Sequence, residues 1–211
     1  MDNPLGRIEH TALGPLTTWA DVTGVLDEAI RHGLRACVPP CYVEPATDYA
    51  PGVDISTVVG FPHGQHAVAT KCAEAERAWE DGAAELDVVA NFGLLAEDTE
   101  RLERELTEVV AAVPVPVKVI TEAPLLAEDE LRQVCEAAVA ADAAFLKTAT
   151  GFSGGGATVA DVELLGEYLP VKASGGIGSR ESADVMFEAG AARIGTSSGD
   201  VLAREYEATG E

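Results

Sequence analysis

A chain of 211 residues is long enough to form one domain with a sizeable core. Its composition, 47% hydrophobic and 24% charged, is that of a globular protein, and no apolar run approaches the ~20 residues that span a bilayer. Thirty-six acidic residues against 14 basic ones give a formal net charge of -22. Such a surface repels nucleic acid and anionic membranes, so neither is expected as a partner.

The excess of acidic over basic residues is explained either by disorder of the chain or by adaptation of a folded protein to high salt. Regularly spaced apolar segments argue against disorder. A folded protein adapted to high salt, where ions screen the self-repulsion, explains the charge better. The N-terminal segment MDNPLGRIEH has neither the basic start nor the apolar core of a secretory signal, which predicts a cytoplasmic protein.

Short apolar runs alternate with longer amphipathic stretches along the chain. The runs predict eight strands, at Ile8–Leu13, Leu34–Val38, Asp54–Gly60, Glu85–Ala90, Val115–Thr121, Ala144–Thr148, Val171–Ser174 and Arg193–Thr196. The stretches predict helices from Thr17 or Thr18 to His32, over Gln65–Asp81, Glu97–Ala112, Glu128–Ala141, Val159–Tyr168 and Ser179–Ala189, and after Ser198. Three prolines after the second strand predict a short or irregular helix there. Eight strand–helix units in a single domain, residues 1–211, predict a closed (β/α)8 TIM barrel of the α/β class.

Charged residues stand on four consecutive predicted strands, near the carboxyl ends where the active site of such a barrel lies. They are Asp87 in ELDVV, Lys118 in VKVI, Lys147 in FLKTATG and Lys172 in VKASGG. The chain has only four lysines, and three of them stand inside these apolar runs. Because an unpaired ammonium is costly to bury, each of these lysines needs either an ion-pair partner or a function, and Lys147 and Lys172 together are predicted to serve a function.

Lys147 and Lys172 belong to neighbouring strands, which lie about 4.8 Å apart in a sheet. Burial and a cationic neighbour both lower the pKa of an amine, so one of the two is predicted to attack a carbonyl as a free amine. Lys118 is explained as well by a structural salt bridge. Asp87 is either the carboxylate that accepts and returns protons or only an ion-pair partner.

Glycine-rich segments follow the last three predicted strands: TGFSGGGAT, SGGIGS and GTSSG. Backbone N–H groups at such turns, followed by a helix N-terminus, form anion sites, and loops seven and eight are the usual phosphate position in this fold. The predicted phosphate-binding residues are Gly175, Gly176, Gly195, Ser197 and Ser198.

No group of histidines and carboxylates has metal-ligand spacing, so no metal and no other cofactor is predicted. The four cysteines are predicted to be reduced thiols. Cys37, at the end of the second strand, is predicted to line the substrate pocket. It is not predicted to be a nucleophile, because no histidine stands at a matching strand end.

The longer motifs identify a family. In chain order they are IEHTAL, CVPPCYV, VVGFPHG, KCAEAERAWEDGAAELDVVANFGLL, KVITEAPLL, FLKTATGFSGGGAT, VKASGGIGS and ARIGTSSG. Together they resemble the deoxyribose-phosphate aldolases almost from end to end. The resemblance implies reversible cleavage of 2-deoxy-D-ribose 5-phosphate to acetaldehyde and D-glyceraldehyde 3-phosphate through a lysine Schiff base.

The resemblance also implies residue roles. Lys147 would form the Schiff base, Lys172 would be the neighbouring acid/base lysine, Asp87 the proton relay, and Lys118 a support for that network. Thr148 and Gly151, which follow Lys147 in its motif, are predicted substrate contacts. Four positions are singled out as departing from the common family pattern, because Glu9 replaces an aspartate, Gly14 a lysine, Ala149 a serine and Ala123 a threonine.

Two alternatives remain at the level of sequence. One is another Schiff-base phosphosugar aldolase on the same fold, and the other is a phosphosugar-binding barrel that has lost catalysis. The paired lysines on the sixth and seventh strands argue against the second, since binding alone would not require both. Barrels of this kind often self-associate, so a homo-oligomer is expected.

Overall fold

The computed structural model describes residues 4–208. Residues 1–3, which begin the segment used to predict the cellular location, lie outside the described residues, as do residues 209–211 at the end of the predicted domain. Within residues 4–208 no helix is both long and apolar enough to cross a bilayer.

Eight parallel strands form a closed barrel in sequential order. They are β1 (Ile8–Thr11), β2 (Arg35–Cys37), β3 (Ile55–Val59), β4 (Glu85–Val89), β5 (Val117–Ile120), β6 (Phe145–Lys147), β7 (Val171–Ser174) and β8 (Arg193–Thr196). The predicted fold is therefore confirmed. The last two strands have the predicted bounds, and the first six are shorter than predicted.

A helix follows each strand. The helices are α1 (Trp19–His32), α2 (Val43–Tyr49), α3 (Val68–Glu80), α4 (Thr99–Ala111), α5 (Glu128–Ala140), α6 (Val159–Gly166), α7 (Arg180–Glu188) and α8 (Gly199–Glu207). A short 3-10 turn, Pro40–Tyr42, precedes α2, which agrees with the irregular helix that the prolines predict.

The first helix shows how local sequence sets the elements. Its buried residues Val22, Val25, Leu26 and Ala29 recur every three or four positions, which gives one apolar face toward the barrel. Thr18 and Asp21 form a reciprocal capping box at its start. Gly33 ends it in the left-handed region, with φ of 69°, where glycine is favoured.

The strand register sets which side chains meet inside the barrel. Asp87 on β4 pairs with Lys118 on β5, and Lys147 on β6 pairs with Lys172 on β7. Because side chains alternate along a strand, Glu85 and Asp87 share one face of β4. The barrel therefore carries charged residues from several strands on its inner side, while apolar helix faces cover its outer side.

Candidate active site

Asp87 lies at the centre of three ammonium groups. Its Oδ2 accepts hydrogen bonds from Lys147 Nζ at 2.9 Å and from Lys172 Nζ at 2.8 Å. Its Oδ1 accepts one from Lys118 Nζ at 3.0 Å. All four side chains are buried, with exposed fractions of 2% or less. The four charged residues predicted from the strand ends thus form one cluster.

A second carboxylate, Glu9 of β1, completes this cluster. It forms a short ion pair with Lys172 and contacts Arg193 at 3.3 Å and Lys118 at 3.6 Å. Glu9 is fully buried, so the glutamate that departs from the family pattern lies within the charged interior. Sequence reasoning noted Glu9 only as a departure and did not assign it to the charged cluster.

Glu85, two residues before Asp87 on β4, adds a third carboxylate to the charged interior of the barrel. It contacts Lys118 Nζ at 2.6 Å, Arg35 at 2.9 Å, and Arg193 in a short ion pair. Lys118 was predicted at the site, whereas Glu85, Arg35 and Arg193 were not. The signal that could have found Glu85 is its spacing of two from Asp87, which places both on the inner face of β4.

The surrounding cations hold both central carboxyls in the ionised form. Burial would raise the pKa of Asp87, but Lys118, Lys147 and Lys172 hold it well below its usual value. For Glu9, burial is likewise outweighed, chiefly by Lys118 and Lys172, and the pKa is lowered to about 2. The cluster is therefore a chain of ammonium–carboxylate pairs rather than a set of neutral groups.

Lys172 differs from the prediction that crowded amines lower one another's pKa. Burial does act to lower the pKa of Lys172, but Asp87 and Glu9 together raise it above its usual value. The reason is that the prediction counted the neighbouring lysines and not the carboxylates between them. Lys172 therefore holds its proton, and it is not the free amine.

A cavity of about 450 Å³ opens above this cluster at the carboxyl ends of the strands. Of the three central lysines, only Lys147 lines it. The cavity also contacts all of the predicted phosphate residues and one predicted substrate contact: Gly151, Gly175, Gly176, Gly195, Ser197 and Ser198. One cavity is thus lined both by the Lys147 amine and by the glycine-rich loops.

The loops after β7 and β8, which line the cavity, have the geometry of an anion site. Gly175 and Gly176 have φ of 97° and 75°, a left-handed conformation that favours glycine. Helix α8 begins at Gly199, and the side chain of Ser198 at its N-cap makes no capping hydrogen bond. A helix N-terminus carries partial positive charge, which offers an anion local attraction in an acidic protein.

Comparisons with known proteins identify the family of the chain. The family described as DeoC/LacD family aldolase matches residues 8–201. A deoxyribose-phosphate aldolase of Natronomonas pharaonis is 60% identical over 207 residues, 98% of this chain and 96% of the relative.

The chain belongs to the DeoC/LacD aldolase family.

Two further relatives support the assignment of the chain to this aldolase family. The deoxyribose-phosphate aldolase of Haloarcula marismortui is 58% identical, over 99% of this chain and 90% of the relative. A solved deoxyribose phosphate aldolase from Aeropyrum pernix, described as a unique tetramer, superposes with a TM-score of 0.89 at 34% identity, covering 96% of this chain and 90% of the other. The protein is therefore an enzyme of the carbon–carbon lyase class.

Two predicted substrate contacts of the aldolase do not line the cavity. Cys37 is fully buried, and burial raises the pKa of its thiol to about 11, so it is neither exposed to a ligand nor a thiolate. The Thr148 hydroxyl donates to Ser174 O at 2.9 Å and accepts from Ser174 N, which ties β6 to β7. Both residues are buried, and neither lines the cavity.

Two groups of side chains among the described residues could hold a metal ion by proximity. Glu9, Cys37 and Asp87 bring ligand atoms within 4.8 Å of one another, but both carboxylates are paired with ammonium groups that a cation would have to displace. The other group is His10, Glu28 and Asp200, in which His10 bonds to Glu28 at 2.7 Å and Asp200 pairs with Arg204. Neither arrangement enters the function proposed below.

Proposed function

We propose that this aldolase reversibly cleaves 2-deoxy-D-ribose 5-phosphate to acetaldehyde and D-glyceraldehyde 3-phosphate through a Schiff base on Lys147. The observation that carries the proposal is that Lys147 alone among the central lysines lines the cavity while contacting Asp87 at 2.9 Å. An amine that reaches both substrate and a proton acceptor meets the geometric requirement for covalent catalysis. Deoxyribose-phosphate aldolases that are 56–60% identical to this chain support the choice of substrate.

The first step converts the Lys147 amine and the substrate aldehyde into an iminium ion. The Lys147 ammonium passes a proton along its hydrogen bond to Asp87, and the free amine adds to the C1 carbonyl. Loss of water from the carbinolamine then gives the iminium. Asp87 holds the proton only briefly, because its pKa is far below its usual value, and returns it to the departing hydroxyl.

In the second step the bond between C2 and C3 breaks. The C3 hydroxyl passes its proton to Asp87, directly or through water, as glyceraldehyde 3-phosphate leaves, and the electrons of the broken bond flow into the iminium to give an enamine. Asp87 returns that proton to C2 of the enamine, and addition of water to the resulting iminium releases acetaldehyde and restores the Lys147 ammonium. Lys172 keeps its proton and donates to Asp87 Oδ2 at 2.8 Å, so it supplies positive charge beside the carboxylate that relays these protons.

The glycine-rich end of the cavity would hold the substrate phosphate. Its backbone donors lie in the loops after β7 and β8, ahead of the N-terminus of α8. Binding the phosphate there would place the aldehyde end of a five-carbon sugar toward Lys147, because both groups line the same cavity. Binding energy from the phosphate thus orients the carbonyl for attack.

A trapping experiment tests this function. The protein is incubated with acetaldehyde and borohydride, and the reduced adduct is mapped by peptide mass spectrometry. We expect one added ethyl group on Lys147, absent in Lys147→Met and retained in Lys71→Arg, which alters a buried lysine outside the cavity. Labelling with dihydroxyacetone phosphate instead of acetaldehyde would support a different Schiff-base aldolase. No adduct with any carbonyl would support a phosphosugar-binding protein.

The assembly of the enzyme is part of the same proposal. We expect a homo-oligomer, supported by the described tetramer of the Aeropyrum pernix relative at 34% identity. Light scattering at the salt concentration of the activity assay measures this directly, and a monomeric mass would contradict it.

A further inference from the structure

A buried histidine lies behind the turn that leads from β8 into α8. His10 stands on β1 next to Glu9, and successive side chains of a strand point to opposite faces. Glu9 joins the charged cluster inside the barrel, so His10 points outward, between the strand and the helices that cover it. The His10 side chain is buried, with an exposed fraction of 3%, and the proposed chemistry at Lys147 does not involve it.

Both ring nitrogens of His10 have a partner. Nδ1 accepts a hydrogen bond from the N–H of Gly199 at 3.2 Å, and Nε2 lies 2.7 Å from Oε2 of Glu28 on α1. A ring nitrogen that accepts carries no proton, so the proton of the neutral ring is on Nε2, which donates it to the carboxylate. The other tautomer would direct Nδ1–H at Thr196 O, 3.4 Å away, and would leave the Gly199 N–H without this acceptor. Glu28 therefore sets the tautomer that Gly199 requires.

The ring and the start of α8 are in close contact. Gly199 is the first residue of α8, and a Cβ there would lie 2.7 Å from both Cβ and Cγ of His10, so glycine is required at this position. The side chain of the N-cap residue Ser198 makes no capping hydrogen bond. The imidazole thus supplies to the helix the acceptor that a capping side chain usually supplies.

The turn that His10 holds forms part of the cavity wall. Its residues Thr196, Ser197 and Ser198 all line the cavity, and the first residue of α8 follows directly. Thr196 Oγ1 accepts from the Ser198 N–H at 3.0 Å and donates to Ile177 O at 2.5 Å, which ties the turn to the loop after β7. The turn is thus fixed by Thr196 at its beginning and by His10 at its end.

Resting on the function proposed above, we propose that His10, with its tautomer set by Glu28, is a positioning residue for the substrate phosphate. Through Gly199 it holds the turn after β8 in place before a ligand binds. Donors that are already ordered bind a ligand more tightly than donors that must be ordered on binding. Loss of the acceptor at Nδ1 therefore weakens binding of the phosphate group and leaves the chemistry at Lys147 unchanged.

A matched pair of substitutions isolates the acceptor. The amide oxygen of an asparagine takes the place of Nδ1, whereas the amide of a glutamine reaches the place of Nε2. Calorimetry measures the affinity for glycerol 3-phosphate, which has a phosphate and no carbonyl group. We expect its dissociation constant to rise about tenfold in His10→Gln, the effect of roughly one lost hydrogen bond, and to stay within about twofold of the original in His10→Asn.

Kinetics with two substrates separates positioning from a general loss of structure. In His10→Gln the KM for 2-deoxy-D-ribose 5-phosphate should rise about tenfold, with a smaller change in kcat. The kcat/KM for unphosphorylated 2-deoxy-D-ribose should stay within about twofold of the original, because that substrate has no phosphate contact to lose. An equal fall of kcat/KM for both substrates would show a merely structural role and would overturn the inference.

His32→Gln is the matched control. His32 on α1 also bonds to a glutamate, Glu207 at 2.7 Å, but this pair lies at the C-terminal end of α8 and does not line the cavity. Its affinity for glycerol 3-phosphate should equal that of the unaltered protein.

The remaining outcomes distinguish this inference from the proposed function. Equal dissociation constants in His10→Gln and His10→Asn overturn the inference alone. If acetaldehyde forms no adduct on Lys147 but His10→Gln still weakens binding of glycerol 3-phosphate relative to His10→Asn, the proposed function fails and the role of His10 at the phosphate site stands. If the unaltered protein does not prefer glycerol 3-phosphate to glycerol, the phosphate site and the inference both fail.

Discussion

Lys172 is held by negative charge on two sides. Asp87 and Glu9 both bond to its ammonium group, and together they outweigh the cost of burying it. A buried ion pair of this kind is weak evidence for net stability, but removing one partner leaves an uncompensated charge in the interior. Lys172 is therefore both part of the proposed chemistry and a structural counter-ion.

Replacing Lys172 by methionine should consequently affect two measurements at once. We predict that turnover of the phosphorylated substrate falls by about 100-fold or more, because the charge beside Asp87 is lost. The free energy of unfolding should fall by about 3–5 kcal/mol, since Glu9 and Asp87 lose a shared cation. Steady-state kinetics and urea unfolding measure the two effects.

A double variant separates these effects. Adding Glu9→Gln to Lys172→Met removes one of the unpaired charges, so stability should be partly restored while turnover stays low. Recovery of turnover in the double variant would show that Lys172 acts only as a counter-ion.

Glu9 should make the stability depend on acid pH. Its pKa is lowered from 4.5 to about 2 in the folded protein, so its contribution is complete above about pH 4.5 and is lost as the pH falls toward 2. The full contribution is about 3 kcal/mol for a shift of this size. Urea unfolding at pH 6, 4 and 3 should show the difference between unaltered protein and Glu9→Gln shrinking with the pH. A constant difference would contradict the lowered pKa.

The sequence predicted which charged residues meet but not how they share protons. Asp87, Lys118, Lys147 and Lys172 were found because charges stand out in apolar strand runs. Glu9 went unassigned because it lies at the other end of the chain, where only barrel closure brings β1 beside β8. Without that carboxylate, the direction of the Lys172 pKa shift could not be predicted.

At the scale of elements, capping side chains explain where several helices begin. Thr158 and Asp161 start α6 with reciprocal bonds, the Thr158 N–H donating to the carboxylate and Asp161 N–H to the hydroxyl, both at 3.1 Å. Helix α5 lacks a side-chain cap at Ala127, although Glu130 accepts the Ala127 N–H at 2.9 Å. The start of α6 thus has a side-chain hydroxyl that accepts a backbone N–H, and the start of α5 has none.

This difference gives a matched pair of variants. Thr158→Ala should lower the free energy of unfolding by about 1 kcal/mol, because the Asp161 N–H loses its acceptor. Ala127→Ser should raise it by a smaller amount, because the backbone at Ala127 is already extended, with φ of -71° and ψ of 160°. Both positions are exposed, so packing changes little. Urea midpoints that move in the same direction in both variants would refute the capping explanation.

Element order was predictable because each strand and helix has its own hydrophobic period. The eight strands follow from β-branched runs, and the start of α1 follows from Thr18. Strand ends were less predictable, because residues such as Ala90 continue the apolar run after the strand has ended. The start of α3 was placed three residues early, since nothing in the run from Gln65 to Ala67 marks the boundary.

At the scale of the whole molecule, the net charge of -22 dominates the long-range electrostatics. Like charges repel across a compact surface, and the distance over which they do so falls from about 10 Å at 0.1 M salt to about 3 Å at 1 M. The interior cluster is shielded by burial and should respond far less to salt. Stability should therefore depend on salt through the surface.

We predict that the melting temperature rises by about 10 °C or more between 0.1 M and 3 M KCl, the sum of many small repulsions relieved. Calorimetry at the two concentrations measures it, with sucrose of equal osmolality as a control that adds no ions. Equal melting temperatures in low and high salt would remove salt adaptation as the reason for the acidic composition.

All four lysines of the chain, Lys71 as well as the three in the barrel, have exposed fractions of 2% or less. Reagents that acylate or alkylate side-chain amines consequently find no lysine on the outside of the folded enzyme. Coupling to an activated-ester resin through lysine would require unfolding, whereas arginine- or carboxyl-directed coupling would not. By the same reasoning, any lysine modified under native conditions reports entry of the reagent into the interior, and Lys147 is the lysine that lines the cavity.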